Sequence, residues 1–306
     1  MNRRRFLHQT GLSALGLWAQ GATRPVSAQG VPSQSWSFVH FTDVHVQPEL
    51  RAAEGYRQAV QAINRLKPTF AIAGGDLIFD GFEVGFERAD MLYNLYSQIT
   101  SQLDMPVHSV IGNHDLFGVR SQPSVPADHP EFGKKMFSKR IGGGRTYRSF
   151  DFQDWHFVLL DSIHVTSESD YEGRIDTEQF EWLANDLRSV GRTRPVVLAT
   201  HIPFFSILGT LDRGPTQPVP PGHVIVNTKE VLDLCADYNV RLMLQGHLHI
   251  VENHEYKQTR YVTSGAVCGN WWKGYRRGHP EGFALYRIEG ETIHFSYHSY
   301  GWKAQG

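Results

Sequence analysis

Short apolar runs alternate with longer amphipathic stretches along this chain, the pattern of strands followed by helices. Ser37 to Phe41 predicts a buried strand, after a polar lead-in from Val31 to Ser35. Over residues 54–67, Tyr56, Ala59, Val60, Ile63 and Leu66 recur at helical spacing, and Pro68 closes that helix. A strand over Thr69 to Ala73, a helix over 85–103 and a strand over Pro106 to Ile111 come next. Between Val119 and Arg145, Pro, Gly, Ser and Lys accumulate and predict a long loop or lid. Strands are expected at about 146–151 and 155–160. A helix then starts at Asp176, where Asp176-x-x-Gln179 has the form of a capping box, with Phe180, Leu183, Leu187 and Val190 on its apolar face. Pro195 to Ala199 reads as a strand, and Pro203 to Gly222 as a second Pro/Gly-rich loop. A helix capped by Asn227 or Thr228 leads to Val240–Leu244, read as the last core strand. From Ile250 to Tyr300 the short alternating strands suggest a meander. The alternation as a whole predicts an α/β fold.

Polar chemistry gathers where these strands end. Asp43-x-His45 follows the first strand, Gly75-Asp76 the second, and Gly112-Asn113-His114-Asp115 the third. Thr200-His201 and Gly246-His247-Leu248-His249 follow two later strands. Side chains gathered from the carboxyl ends of several strands are the usual way an α/β sheet builds a site. Asp and His together suit Fe, Mn or Zn, with imidazole supplying affinity and carboxylate neutralising charge. Asp43 and His45 can face one ion, and His247 and His249 repeat that spacing. Asp76 can bridge two ions, and Asn113 can offer a carbonyl oxygen to the second. Two such cations make hydroxide available from a bridging water near neutral pH and hold both oxygens of an in-line displacement at phosphorus.

Taken together, the five motifs resemble the calcineurin-like metallophosphoesterase superfamily over residues 38 to 249. The resemblance implies a four-layer α/β/β/α sandwich, two stacked mixed sheets flanked by helices. It implies that Asp43, His45, Asp76 and His249 hold one metal and Asp76, Asn113, His201 and His247 the other. His114 would then contact the substrate phosphate and protonate the leaving oxygen, oriented by Asp115 or Asp80. Two subtypes fit less well. Purple acid phosphatases place a metal-binding tyrosine where this chain has Phe79, and Ser/Thr protein phosphatases carry Gly-Asp-x-x-Asp-Arg-Gly, whereas Gly75-Asp76-Leu77-Ile78-Phe79-Asp80-Gly81 lacks the arginine. The remaining pattern is similar to bacterial class III cyclic-nucleotide and glycerophosphodiester phosphodiesterases. The expected activity is therefore hydrolysis of a small phosphodiester, with a broad phosphomonoesterase as the alternative. A non-catalytic scaffold is disfavoured, because scaffold members lose ligands and this chain keeps the full set.

Composition bounds the remaining choices. The 306 residues are 41% hydrophobic, enough for a substantial core, and no stretch is apolar for the ~20 residues of a membrane helix. Residues 1–28 read as a twin-arginine export signal: Arg3-Arg4-Arg5-Phe6-Leu7, an apolar run from Gly11 to Ala19, and Val26-Ser27-Ala28 as the cleavage site. Residues 29–306 are then one metallophosphoesterase domain, with a catalytic core at about 36–250 and a β-rich part at about 250–300. The expected location is periplasmic or secreted, with the twin-arginine export machinery as a partner and no stable membrane anchor. Without the four arginines of that segment, 26 basic residues face 31 acidic ones, a net charge of −5. That balance argues against a nucleic-acid partner. Cys235 and Cys268 are the only cysteines. An oxidising compartment would let them pair, but Cys235, on an amphipathic helix, reads as a small buried hydrophobe. Gly269-Asn270-Trp271-Trp272-Lys273-Gly274 has two readings, a substrate wall or rings packed under the terminal strands. His223, in the second Pro/Gly loop, is a candidate substrate contact.

Overall fold

The apolar runs become strands buried on both faces, which is why they read as continuous rather than alternating. In the computed structural model, which describes residues 35–120 and 125–305, strands and helices run in the following order. They are β1 (Trp36–Phe41), α1 (Ala52–Leu66), β2 (Phe70–Ala73), α2 (Phe86–Thr100), β3 (Val107–Ser109) and α3 (Lys135–Arg140). Then come β4 (Arg148–Phe152), β5 (Trp155–Leu159), β6 (Ile163–Val165), β7 (Tyr171–Gly173), α4 (Thr177–Val190) and β8 (Val196–Ala199). The chain continues with α5 (Leu208–Arg213), α6 (Thr228–Cys235), β9 (Val240–Gln245), β10 (Val251–Tyr256), β11 (Thr259–Ser264), β12 (Gly282–Glu289) and β13 (Thr292–Ser299). The expected export signal, residues 1–28, lies outside the described residues.

Two mixed sheets carry the architecture, a five-stranded one in the order β13-β12-β1-β2-β3 and a six-stranded one in the order β10-β11-β9-β8-β5-β4. Alternate side chains explain how they stack. Phe38, Phe70, Ile72 and Tyr286 of the first sheet pack against Phe157, Leu159, Leu242 and Leu244 of the second. The opposite faces of the same strands, through Val39, Phe41, Ala71, Val158 and Leu198, join the helices in a larger core. The result is the α/β/β/α sandwich.

Several departures from the sequence reading have causes visible in the pairings. Val240–Leu244 is not the last core strand: β11 pairs parallel with β9, and β12 pairs antiparallel with β1. The C-terminal region is thus not one meander but two hairpins, β10–β11 and β12–β13, each completing a different sheet. Both Pro/Gly-rich loops hold short helices, α3 and α5. The Asp176 carboxylate does cap α4, accepting from the Gln179 amide at 2.9 Å. The Gln179 side chain, however, pairs with both backbone groups of Asp161 instead of reaching back, so only half the capping box forms. Asn227 stands at the start of α6, but its amide is spent on both backbone groups of Ile175.

Candidate metal centre

β1, β2 and β3 run parallel in one sheet, and β8 and β9 run parallel in the other. Their carboxyl ends meet, and all seven sequence-derived ligands come together there. Five of them, Asp43, His45, Asp76, His247 and His249, sit at positive φ, between 44° and 72°. Left-handed backbone is costly for such residues and persists where the surrounding fold over-determines it, as at functional sites. Gly112 has to be glycine, since a Cβ there would collide with the backbone and carboxylate of Asp76.

Donor atoms set roughly 2 Å from one cation stand about 3–3.5 Å from each other. The first expected centre has that spacing. His249 Nε2 lies 3.1 Å from His45 Nε2 and 3.2 Å from Asp43 Oδ1. His45 Nε2 is 3.4 Å from Asp76 Oδ2. That same Asp76 oxygen lies 3.1 Å from His201 Nε2, so it stands between a histidine of each centre, where a bridging ligand belongs. Its other oxygen accepts the His114 amide at 2.8 Å and is fixed. Around the second centre, Asp76, His201 and His247 form one potential ligand group. Three buried atoms there lack a hydrogen-bond partner: Asn113 Oδ1, His201 Nε2 and His247 Nδ1. Buried polar atoms without partners are rare and call for a ligand.

The rings are also held in the right tautomer. His201 Nδ1 donates to the Gly74 carbonyl at 2.8 Å, and His249 Nδ1 to that of Gly269 at 2.7 Å. Each leaves Nε2 with a lone pair facing the cluster, as metal-ligating histidines require. The carboxylates also draw positive charge into the cluster, and a proton on His201 stands in for a cation. Burial opposes a proton on His201, yet Asp76 and Asp43 outweigh it and raise the pKa to about 9. His247, with both burial and His201 against its charge, falls to about 3. The residues fit a dimetal centre.

His114 stands beside the ligands without belonging to the set. Its ring packs edge-on to His45 at 4.9 Å and to Trp271 at 5.0 Å. Its Nδ1 lies 3.4 Å from Asp80 Oδ1, an ion-pair distance. Burial lowers its pKa, but Asp76 and Asp80 outweigh burial and raise it. Asp115, the other expected partner of His114, turns its carboxylate to backbone amides. Its carboxylate accepts the amides of Leu77 and Gly112, each at 2.8 Å, and of Ile78 at 3.3 Å. It stitches the Asp76 loop to the Asn113 loop and leaves Asp80 to orient His114.

Other residues named in the sequence reading also gather around the site. The adjacent tryptophans split between the two expectations. Trp271 leans over the ligands, with its ring 3.9 Å from His45 and 5.1 Å from His249. Trp272 is buried, donates its indole N–H to the His45 carbonyl at 3.0 Å and packs on Trp302. Both sit at positive φ, so no periodicity announces which faces out. The cysteines do not pair; both are buried thiols, and Cys268 Sγ lies 3.7 Å from His249 Nδ1. His223 does reach the site, its ring 6.1 Å from that of His247.

Two clefts open from the cluster. One, of about 290 Å³, is lined by His223, Arg213, Arg276 and Arg277 beside Asp76 and His247. The other, of about 590 Å³, is lined by Leu50, Phe79, Phe82, Asp80 and Lys273. Asn113, His114, Tyr171 and Trp271 line both.

Residues 37–251 match the model of the calcineurin-like phosphoesterases. The chain belongs to that family. The calcineurin-like phosphoesterases hydrolyse phosphoric esters, and this chain is such a hydrolase, whose family implies a dimetal centre at the candidate ligands. Among relatives, it is 29% identical over 230 residues to the bovine (Bos taurus) serine/threonine-protein phosphatase CPPED1, which spans 72% of this chain and 66% of the relative. It is 22% identical to a probable cyclic nucleotide phosphodiesterase of Coxiella burnetii, over 63% of this chain and 68% of that protein. In fold it resembles a dimetal phosphatase from Danio rerio, with a TM-score of 0.63, 16% identity, and coverage of 88% of this chain and 97% of the other.

Proposed function

We propose that this phosphoesterase is an exported phosphodiesterase of small substrates, with His114 as the acid that protonates the leaving oxygen. The observation that carries the reading is the pair of clefts meeting at His114. A phosphomonoester has one organic arm and needs one cleft; a diester has two arms and fills both. Bound at Asp43, His45, Asp76, Asn113, His201, His247 and His249, two cations supply Lewis-acid charge and a nucleophilic water at neutral pH. The donor set, rich in imidazole, favours Fe, Mn or Zn over Mg.

The chain's own residues do the rest. Asn113 and Trp271 bound the space in which phosphorus sits. Asp76 and Asp80 raise the His114 pKa, and Asp80 lines the wider cleft and not the narrower one. On this reading His114 donates on its Asp80 side, and the arm in the wider cleft is the leaving group. The edge-to-face pair of Trp271 and Phe79, with ring centroids 5.8 Å apart, forms an apolar wall that shields the oxygen being protonated. Export rests on the twin-arginine pattern of residues 1–28 and implies a periplasmic or secreted enzyme served by that machinery.

A phosphomonoesterase is the second reading, favoured by the similarity to CPPED1, which is described as a protein phosphatase. Turnover of bis(p-nitrophenyl) phosphate against p-nitrophenyl phosphate by metal-reconstituted protein decides between them. The diester should be preferred, and Asp76→Ala should lose metal and activity together. Preference for the monoester would replace the leading reading with the second.

A further inference from the structure

The cleft of about 290 Å³ holds more positive charge than its neighbours neutralise. Three guanidinium groups line it, those of Arg213, Arg276 and Arg277. Arg277 is spent: it grips Asp212 in a two-pronged pair, Nη1 to Oδ1 at 2.6 Å and Nη2 to Oδ2 at 2.7 Å. That pair fastens α5 to the loop following Trp272, and it also removes Asp212 as a counter-charge for the other two arginines. Arg276 contacts only the neutral Asn270 side chain and the backbone of His279, and Arg213 only the Pro218 carbonyl as a side-chain partner. Neither has a carboxylate partner among the described residues.

These charges are surplus to the ester at the metal centre. Two divalent cations against Asp43 and Asp76 leave enough positive charge to balance both an attacking hydroxide and a diester monoanion. Arginine's planar fork matches a second oxyanion bidentately. On the diester reading above, we propose that this cleft selects substrates whose retained arm carries a second phosphate, and that Arg213 and Arg276 receive it. The scissile bond then has a fixed direction. The phosphate-bearing arm stays on the arginine side with the phosphoryl group, and the arm beside His114, Phe79 and Phe82 departs.

A matched pair of substrates tests this. Thymidine 5′-(p-nitrophenyl phosphate) and its 3′-phosphorylated form differ only in the distal phosphate. The metal-loaded protein should show a KM lower by roughly tenfold or more for the 3′-phosphorylated ester, since charged hydrogen bonds are involved. Arg276→Gln and Arg213→Gln should each shrink that ratio toward one. Calorimetric titration with thymidine 3′,5′-bisphosphate and with thymidine 5′-monophosphate supplies a readout independent of turnover. The bisphosphate should bind tighter, and the two variants should lose that difference. Equal KM values for the two esters would overturn the proposal. So would variants that weaken both esters equally, since the arginines would then be holding the scissile phosphate. If neither ester turns over, the diester reading fails on its own, and the calorimetric comparison still decides whether the arginine cleft takes a second phosphate.

Discussion

Among single side chains, the two aspartates considered as partners for His114 have separate tasks. Asp115, its neighbour in sequence, is consumed by backbone amides, while Asp80 arrives from the loop after β2 to face the imidazole. If His114 is the acid, His114→Ala should leave metal content intact. It should cut turnover by roughly 10²–10⁴-fold on an ester with a basic alkoxide leaving group, and far less on a nitrophenyl ester. Equal losses on both would reduce His114 to a phosphate contact. Asp80→Asn should move the basic limb of the pH–rate profile to lower pH, because one of the two carboxylates that raise the His114 pKa is gone. The seven candidate ligands were legible because each sits in a short motif just past an apolar run. Arg213 was not, and Trp271 had two readings. Their importance comes from which loop faces which, and nothing in the local pattern encodes that.

Secondary-structure elements tell a similar story. β1, β2, β8 and β9 were legible as apolar runs because both faces are buried. α3 and α5, each six residues long, lie in Pro/Gly-rich segments and bury too little for a helical stripe to stand out. The split of the last four strands between two sheets was hidden for another reason: alternation specifies faces but not neighbours. One junction between elements carries a pH signature. His156 on β5 bonds Asp151 on β4 at 2.7 Å through Nδ1 and Asp186 on α4 at 2.8 Å through Nε2. Both partners only accept when ionised, so the bridge needs imidazolium. Burial lowers the His156 pKa, but Asp186 and Asp151 outweigh it and raise it above the usual 6.5. With the folded pKa above the unfolded one, this stabilisation is complete below the unfolded value and fades as pH rises through the folded value. The melting-temperature gap between the wild type and His156→Gln should therefore be widest in mildly acid solution and narrow steadily toward alkaline pH. A gap independent of pH would mean that the ring contributes packing alone.

Over the whole molecule, the sandwich was legible through its alternation of elements and the family resemblance of its motifs. The way its two sheets share the C-terminal strands was not. No helix among the described residues is long and apolar enough to cross a membrane, and on the proposed reading the folded enzyme leaves the cytoplasm through the twin-arginine route. Lysine at both Arg3 and Arg4 should then retain the precursor in the cytoplasm, as followed by fractionation and immunoblotting. Undiminished periplasmic protein would assign export to the general secretory route.

The pairing of β1 with β12 also sets a timetable for folding. The first strand to leave the ribosome, β1, is flanked by β2, which follows almost at once, and by β12, whose Leu285 lies opposite Val39. One edge of β1 must therefore stay open until nearly the whole chain has been synthesised, with its amides and carbonyls served only by water. The same holds for β9, whose outer neighbour β11 begins at Thr259. The stretch that matches the family model stops at residue 251, before either partner strand. It contains all seven candidate metal ligands, yet expressed alone it would present two unpaired, strongly apolar strand edges, the kind of surface that drives chains to join one another. A gene fragment trimmed to the recognisable motifs should accumulate as aggregate, and soluble protein should return only when the last hairpin is restored.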